Sequence, residues 1–374
     1  MKKGKLSQAA LDRLVLRPLK KSKTAGPDAL YGMDSARVLP SVILNNHYSG
    51  MDQLYSDTAA HEIGGRFDLP VRMVYLQAVN SLAASGAQAV SASQTLMIPE
   101  NSTEEEIRAI AEEAGGAAAE LGIVLTGGST SVSDALSRPV LSVTVCGIRN
   151  DTRAAAPAES ELFAAAGRNT PEEASGQSSD RADRTSGLSI VMAGTAGLGG
   201  TAVLAAAAQD ELCRRYPSSL VDDAISLSGR LNVARECLEA WKMHCTALHD
   251  ISEGGVFGAL WELAGREQAG FDVDLKKIPI RQETVEICEY FDLNPYQLFG
   301  QGAFLALTPD ADELCTILAG QGQYCAVIGH TAAQKARCIH NGEEVRYLEK
   351  PQQDMLWTVK DHRKFCENEA MPKE

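Results

Sequence analysis

Residues 102–125, STEEEIRAIAEEAGGAAAELGIVL, carry the clearest local signal in this 374-residue chain. Ser102 and Thr103 precede three glutamates, so a capping box can satisfy the free amides of a helix N-terminus. Apolar residues then recur at helical spacing, and Gly122 supplies the stop. The following segment, Ile123 to Leu125, is strand-like and leads into a glycine turn, TGGSTS. A helix that passes directly into a strand predicts a mixed α/β fold.

The same interleaving continues on both sides of this stretch. Towards the N-terminus the patterns predict helices and strands in turn: a helix over Leu6–Leu19, a strand over Val38–Asn45, a helix over Pro70–Gly86, a strand over Ala87–Ile98 and a strand over Val140–Val145. Towards the C-terminus they predict a strand over Gly187–Ala193, helices over Thr201–Arg215, Ile225–Met243 and Val256–Arg266, and strands near Phe271–Leu275, Ala303–Leu307 and Ala326–Ile328. Strands and helices alternate throughout, which favours the α/β class over an all-helical or all-strand fold.

The segment 150–186 separates two halves of different composition. It is rich in small and charged residues and poor in large apolar ones, so it cannot bury enough surface to offset its ordering entropy. We therefore expect an N-terminal domain over 1–149, a linker or surface insertion over 150–186, a C-terminal α/β domain over 187–350, and a polar tail over 351–374.

Composition excludes several classes of function. The chain carries 35 basic and 49 acidic residues, a net charge of −14, which disfavours attraction to nucleic acids or anionic membranes. The uncharged run Ser189–Gln209 is glycine- and alanine-rich, which is atypical of a membrane span. The N-terminus lacks a signal-peptide core. Nine cysteines without zinc-site spacing indicate a reducing compartment, so we expect a cytoplasmic protein.

The stretch from His249 to Gly255, HDISEGG, is the most distinctive motif. Its glycines permit close backbone approach, and its acidic residues can hold a hydrated magnesium ion. An alternative remains open: Asp250 and Glu253 stand three residues apart, as an N-cap and its N3 partner do at a helix start.

Two glycine-rich stretches carry weaker signals. Gly194–Gly200, GTAGLGG, opens a helix after a strand, a context that can cradle a phosphate. Without a P-loop Lys or Ser/Thr it favours tight helix–strand packing instead. The turn at Gly127, Gly128 and Ser129 can approach a ligand, but such turns are common.

Isolated acids and one cysteine complete the candidates. Asp34 and Asp52 lie near predicted strand ends, where paired carboxylates can bind magnesium, although most surface acids are merely solvated. Cys366 near the C-terminus is either a reactive thiol or an incidental one.

Taken in order, these motifs resemble those of the AIR synthase-like (PurM-like) superfamily of ATP-using enzymes, and most of all its HypE-like members. The resemblance extends from Gly4 to Glu349, apart from the 150–186 segment. Beside the opening GKLSQAALDRLVLRPL it rests on collinear motifs: GMDSARV (32–38), AVNSLAASGA (78–87), LTGGSTSVSDA (125–135), MAGTAGLGGTAVLA (192–205) and HDISEGGVFGALWELA (249–264).

The resemblance implies two α/β domains, with the N-terminal domains of two subunits joined into a shared barrel. It also implies ATP and Mg²⁺ as cofactors and a homodimer. By position, the acids that would hold the metal are Asp34, Asp52 and Asp250. The positions that would contact the nucleotide are Asn80, Gly127, Gly128, Gly254 and Gly255.

Three departures from the family pattern bear on activity. Ser81 stands where the family has an acid after Asn80, and Ser129 stands where it has one after the paired glycines. A neutral hydroxyl is a poor replacement for a carboxylate around Mg²⁺. HypE proteins end in a cysteine that carries the substrate group, whereas Cys366 lies eight residues before the last residue here.

Two hypotheses follow. In the first, the chain is a Mg-ATP-dependent enzyme that activates an oxygen atom of a small substrate by phosphorylation, with a possible role and partner protein in hydrogenase maturation. In the second, it is a degenerate paralogue that binds a nucleotide or a partner protein without turnover. Ser81 and Ser129 favour the second hypothesis, and the overall resemblance favours the first.

Overall fold

The computed structural model describes five stretches of the chain: residues 36–39, 51–151, 186–243, 245–351 and 353–359. Within them, strands and helices alternate along the sequence and form a five-stranded and a seven-stranded sheet. The predicted α/β class is therefore confirmed. The predicted helix over Leu6–Leu19 and most of the 150–186 segment lie outside the described residues.

The first sheet has the strand order β1-β2-β5-β3-β4. Its strands are β1 Ala36–Leu39, β2 Met51–Glu62, β3 Gln88–Pro99, β4 Val124–Ser133 and β5 Val140–Asp151. All neighbours are antiparallel except β3 and β4, which are parallel and joined by a helix. β5 continues well beyond the predicted Val145 because it pairs with β2 over the full length of both strands.

Helix α1, Val71–Ala84, packs between the two sheets. Val74, Tyr75 and Leu76 are consecutive and fully buried, so the helix has no solvent-facing stripe at this level. A helix that is apolar on all sides belongs in a protein interior. Two of its polar residues, Asn80 and Ser81, lie at the junction of the sheets.

Helix α2, Glu104–Glu120, begins at the predicted capping box. The Glu106 amide donates to Thr103 Oγ1 at 3.2 Å, and the Thr103 amide donates to the Glu106 carboxylate at 2.9 Å. Thr103, rather than Ser102, is the capping residue.

The expected glycine turn after Leu125 is wrong: Gly127 and Gly128 lie inside the continuous strand β4. Both have φ near +155°. A Cβ on Gly128 would lie 1.9 Å from the backbone oxygen of Gln94, so only glycine lets β4 pair this closely with β3. Gly128 therefore serves strand pairing at this sheet edge.

The second sheet has the order β12-β11-β8-β10-β6-β9-β7. Its strands are β6 Ser189–Ala193, β7 Ala247–Ile251, β8 Gly270–Asp274, β9 Ala303–Thr308, β10 Cys325–Ala332, β11 Arg337–Asn341 and β12 Glu344–Tyr347. β7 and β9 are buried along their whole length, since helices cover both faces. Only β8 and β11 pair in parallel.

Seven helices of the described residues accompany this sheet: α3 Leu198–Ala207, α4 Gln209–Leu212, α5 Ser218–Ser226, α6 Ala234–Lys242, α7 Gly255–Glu267, α8 Gln282–Tyr290 and α9 Ala311–Gly320. The predicted helix over Thr201–Arg215 is divided at Ala208. The predicted helix over Ile225–Met243 is wrong as one element: it comprises the end of α5, a 3₁₀ turn at Leu227–Arg230, and α6. None of the helices in the described residues is long and apolar enough to span a membrane.

The segment expected to be a polar tail begins with a buried turn. Residues Met355–Thr358 form a 3₁₀ turn, and Leu356, Trp357 and Val359 belong to the largest core cluster. Asp354, at its start, is buried as well. The second half of that predicted tail lies outside the described residues.

Candidate functional site

Two of the quoted motifs meet where α1 crosses the end of β7. The Ser81 hydroxyl donates to Asp250 Oδ1 at 2.9 Å, although the residues are 169 positions apart. Asp250 is only 3% exposed, because β7, the edge strand of the second sheet, is covered by α1 and α7. The contact brings the AVNSLAASGA helix and the HDISEGG strand into one polar cluster between the sheets.

Asn80 is enclosed beside this contact and bonded at both ends of its amide. Its Nδ2 donates to the Leu231 carbonyl at 2.7 Å, and its Oδ1 accepts from the Val233 amide at 3.1 Å. It is 1% exposed. These bonds satisfy backbone groups in the break between the 3₁₀ turn and α6, which explains why one helix does not run through. Asn80 was predicted to contact a nucleotide; the structure shows it holding this loop.

The backbone amides of Gly254 and Gly255, at the start of α7, already donate hydrogen bonds within the protein. The Gly254 amide donates to Asp354 Oδ2 at 2.6 Å, and the Gly255 amide donates to the Ser252 carbonyl at 3.2 Å. A Cβ on Gly255 would lie 2.7 Å from two backbone oxygens, so this glycine serves close packing. Both amides therefore have acceptors within the protein, and a contact of Gly254 or Gly255 with a nucleotide stays a prediction.

The capping interpretation of Asp250 and Glu253 is wrong. α7 begins at Gly255 with Gly254, at φ 84°, as its N-cap, so Asp250 stands in β7 and not at a helix start. Because Gly254 and Gly255 both have positive φ, the chain turns sharply between strand and helix. The acidic partner that a cap would supply comes instead from Asp354, a residue that sequence reasoning did not consider.

Asp354 is held by three backbone amides. Besides Gly254, its carboxylate accepts from Phe299 at 3.1 Å and from Leu356 at 2.8 Å. Burial raises the pKa of Asp354 to about 7, the charge of Glu253 adds to the rise, and the amide hydrogen bonds oppose it. The carboxylate therefore takes the place of an anion at the N-terminus of α7.

His249 lies behind Asp250 and is bonded within the protein. Its Nδ1 lies 2.7 Å from the Asp250 carbonyl oxygen, and its Nε2 lies 3.3 Å from Glu262 Oε2 on α7. All three residues are buried. Glu262 was not expected from the sequence, since its helical position gives no sign that it faces a strand residue.

The other predicted residues are placed as follows. Gly127 and Gly128 lie on β4, the exposed edge strand of the first sheet, whereas Asp250 lies on β7 of the second sheet. Asp52 is a β2 residue whose backbone pairs with Asn150. Asp34 and Cys366 lie outside the described residues.

Of the three acids predicted to bind magnesium, only Asp250 has a described side chain. The fit of this site to magnesium therefore depends on Asp250. The described stretches hold no group of three or more His, Cys, Asp or Glu side chains arranged for a metal. Mg²⁺ takes several oxygen ligands in near-octahedral geometry, usually including one or two carboxylates. The described residues therefore do not by themselves form a magnesium site, and we assign no step to one.

Comparisons with known proteins agree with the motif order. Residues 72–149 match the family model of the N-terminal domain of AIR synthase related proteins, and residues 185–340 match that of the C-terminal domain. Together the two models cover more than half of the chain.

Two relatives and one solved structure illustrate the similarity. The chain is 24% identical over 259 residues to carbamoyl dehydratase HypE of Rhizobium leguminosarum bv. viciae, covering 68% of this chain and 66% of the relative. It is 22% identical over 339 residues to a putative hydrogenase expression/formation protein of Methanocaldococcus jannaschii, covering 88% and 89%. A crystal structure of the hydrogenase maturation protein HypE in complex with ATP shares the fold at a TM-score of 0.58 and 17% identity, covering 95% and 98%.

Proposed function

The chain belongs to the AIR synthase-related (PurM-like) family, and we propose on that premise that it is an ATP-dependent enzyme. It activates an oxygen atom of a small substrate by phosphorylation. The contact between Ser81 and Asp250 carries this proposal, because it joins the two family motifs across the sheets at a buried polar point. A buried, partly polar junction between two layers is a typical place for a ligand site.

ATP enters the proposal from the family and from the ATP complex of a HypE protein with the same fold. Magnesium enters only as the prediction that Asp34, Asp52 and Asp250 contribute ligands. When bound, such an ion would neutralise charge on the transferred phosphoryl group. Within this chain, Asp250 is held in place by the Ser81 hydroxyl, and His249 and Glu262 support the strand behind it.

The test is thermal unfolding with a non-hydrolysable ATP analogue, with and without magnesium. A ligand at 100 times its Kd stabilises the folded state by about 2.7 kcal/mol, a readily measured shift. We expect a rise in unfolding temperature that increases with magnesium. No shift at millimolar analogue would contradict the enzyme proposal.

The second candidate function is a nucleotide-binding or scaffold protein without turnover. Ser81 and Ser129 favour it, since both stand where the family has acids. Ser81 is committed to Asp250, and Ser129 pairs with Thr95 on the sheet edge. A stabilisation by the analogue that is independent of magnesium would support this candidate.

One double variant, Ser81→Asp combined with Ser129→Asp, separates the two candidates. In a degenerate site, this double variant should restore a magnesium-dependent response to the ATP analogue. In an active enzyme with a rearranged site, the same changes should reduce turnover or leave it unchanged. Asn101→Asp, at an exposed turn before α2, is the control for added charge, and it should alter neither measurement.

The setting we propose follows the HypE-like relatives: a role in hydrogenase maturation, with a homodimer and a partner maturation protein, in the cytoplasm. The similarity to carbamoyl dehydratase HypE and to a hydrogenase expression/formation protein supports this setting. Co-purification of this chain with hydrogenase maturation proteins from its own host tests it. Failure to recover any of them under conditions that preserve the dimer would count against the setting.

A further inference from the structure

Two of the nine cysteines lie side by side on the second sheet, away from the residues that the proposed function uses. Cys315 is on α9, and Cys325, ten positions later, is the first residue of β10. Both are free thiols, and their side chains share a hydrogen bond. By contrast, the Cys245 thiol bonds to the Thr308 side chain. The structure thus places two reduced sulfur atoms in contact with each other.

Helix periodicity and strand pairing together create this contact. Cys315 lies four residues after Ala311 and three before Leu318, so the three share the helix face that packs on the sheet. Cys325 pairs with Ala193 of β6, beneath the same helix. Both cysteines pack against the core cluster that contains Ala193 and Leu318. The elements that hold the two thiols are therefore fixed by burial.

The hydrogen bond affects the two thiols in opposite ways. Burial raises the pKa of Cys325 to about 12, and the charge and hydrogen bond of Cys315 add to the rise. Burial also raises the pKa of Cys315, but the hydrogen bond from Cys325 opposes that rise. A donor favours the charged form of the group that accepts from it. Cys325 is therefore the donor, and Cys315 is the sulfur that first becomes a thiolate, the nucleophilic form.

The segment that joins the two cysteines is short and mostly exposed. Gly322 has φ 83°, and a Cβ there would meet nothing within 4 Å. The side chain of Tyr324 is 62% exposed. Backbone with so few packed neighbours can adjust to the sulfur geometry of a disulfide. Cys325 also lines an open cavity of about 470 Å³, through which a small reagent can reach the pair.

We propose that Cys315 and Cys325 form a reversible disulfide when they meet a small disulfide oxidant such as oxidised glutathione. The Cys315 thiolate attacks one sulfur of the oxidant and releases one glutathione thiolate, which leaves a mixed disulfide on Cys315. The Cys325 sulfur gives up its proton to water, attacks the Cys315 sulfur and releases the second glutathione. The protein loses two protons and two electrons, and the oxidant takes them up as two glutathione thiols.

The disulfide would tie α9 to the start of β10 and restrain the segment between them. Gly322, Gln323 and Tyr324 of this segment form part of the cavity wall. Oxidation of the pair therefore stiffens one wall of the cavity, and reduction releases it. The inference depends on neither ATP nor magnesium.

Mass spectrometry of the full chain tests the proposal. The reduced protein is equilibrated with oxidised glutathione, the remaining thiols are alkylated, and the unfolded protein is digested with chymotrypsin without reductant. Chymotrypsin cleaves after aromatic residues, and Tyr324 lies between the two cysteines. A disulfide therefore keeps two peptides joined. We expect the joined pair after oxidation and its loss after treatment with dithiothreitol.

A second measurement follows the segment in the folded protein. Brief chymotrypsin digestion under native conditions should cut after Tyr324 several times more slowly in the oxidised form, because the disulfide restrains local opening. Cys315→Ser should abolish the difference between the oxidised and reduced forms. Cys213→Ser, at an exposed thiol, is the matched control and should keep it.

Three results would overturn the proposal. In the first, glutathione stays on Cys315 while Cys325 is alkylated. In the second, either sulfur is joined to a different cysteine. In the third, neither reacts under conditions in which the exposed Cys213 takes up glutathione. The joined peptides are identified in the unaltered protein, so the test holds even if Cys315→Ser does not fold. Equal native cleavage of the oxidised and reduced forms would contradict the restraint of the segment.

Discussion

The Asp354 carboxylate occupies the N-terminus of α7, where the sequence predicted contact with a nucleotide. Three backbone amides converge on its carboxylate, including the Gly254 amide at the start of α7. Trp357 follows three residues later and packs against His61, with ring centroids 6.0 Å apart. The residue thereby fastens the last described segment to both the second sheet and the helix start.

The pH dependence of stability follows from this burial. Because the pKa of Asp354 is raised to about 7 from an ordinary value near 3.8, the folded protein holds a proton that the unfolded chain releases. The contribution of this group is fully present below about pH 4 and is lost as the pH rises towards 7. Asp354→Asn should therefore flatten the decline of unfolding free energy between pH 4 and 7.

The same variant should be less stable at any pH, by about 1–3 kcal/mol, because the Asn side chain cannot accept from all three amides. Denaturant titrations at several pH values measure both effects. Asp134→Asn, at an exposed position, is the control and should change neither the slope nor the midpoint. An unchanged slope in Asp354→Asn would show that other groups govern the pH response.

Strand β4 carries apolar side chains at positions that the fold exposes to solvent. It is an edge strand, and Val124 and Val132 are each 63% exposed. Exposed apolar edge strands invite pairing with another chain. A second copy of this chain is the occupant that the family resemblance predicts, through a barrel shared by two first sheets.

We expect the protein to be a dimer in solution and Val132→Lys to shift it towards monomer, since a lysine on an edge strand opposes pairing. Light scattering after size-exclusion chromatography, over a tenfold concentration range, measures this. The matched control is Val345→Lys on β12, which is an edge strand of the second sheet. Val345 is 55% exposed. A dimer that tolerates Val132→Lys but not Val345→Lys would place the interface on the second sheet and contradict the prediction.

The whole molecule is held together across its two sheets by a shared core and by a few buried hydrogen bonds. One core cluster contains residues of α1, β5, α3 and the last described turn. Asn80 bonds the loop before α6, Gln301 Nε2 donates to the Met73 carbonyl at 3.2 Å, and Trp241 Nε1 donates to the Ala84 carbonyl at 2.9 Å. An apolar interface of this kind couples the two halves.

We therefore predict one cooperative unfolding transition, in which tryptophan fluorescence and far-ultraviolet circular dichroism coincide. Asn80→Ala should lower the unfolding free energy by about 2–3 kcal/mol, because two buried backbone groups lose their partner. Asn101→Ala, at an exposed turn, should leave it unchanged. Separate transitions for the two signals would mean that the sheets unfold independently.

The local sequence was sufficient where the signal lies within one turn or one strand. The capping box at Thr103 and Glu106, the glycine stop after α2 and the apolar helix over Val71–Ala84 follow from spacing and side-chain chemistry alone. The order of the motifs likewise indicated the family and the α/β class. The helix features depend on interactions between residues close in sequence. The family assignment depends on a motif order that can be compared with that of known proteins.

Contacts over long sequence distances were decided by the tertiary structure. Nothing near Asn80 predicts that its amide fills the break before α6, 151 and 153 positions away. Nothing near Gly254 predicts that Asp354 accepts its amide hydrogen 100 positions later. Residue types and spacing report local periodicity, whereas the partners of buried polar groups depend on which elements pack together.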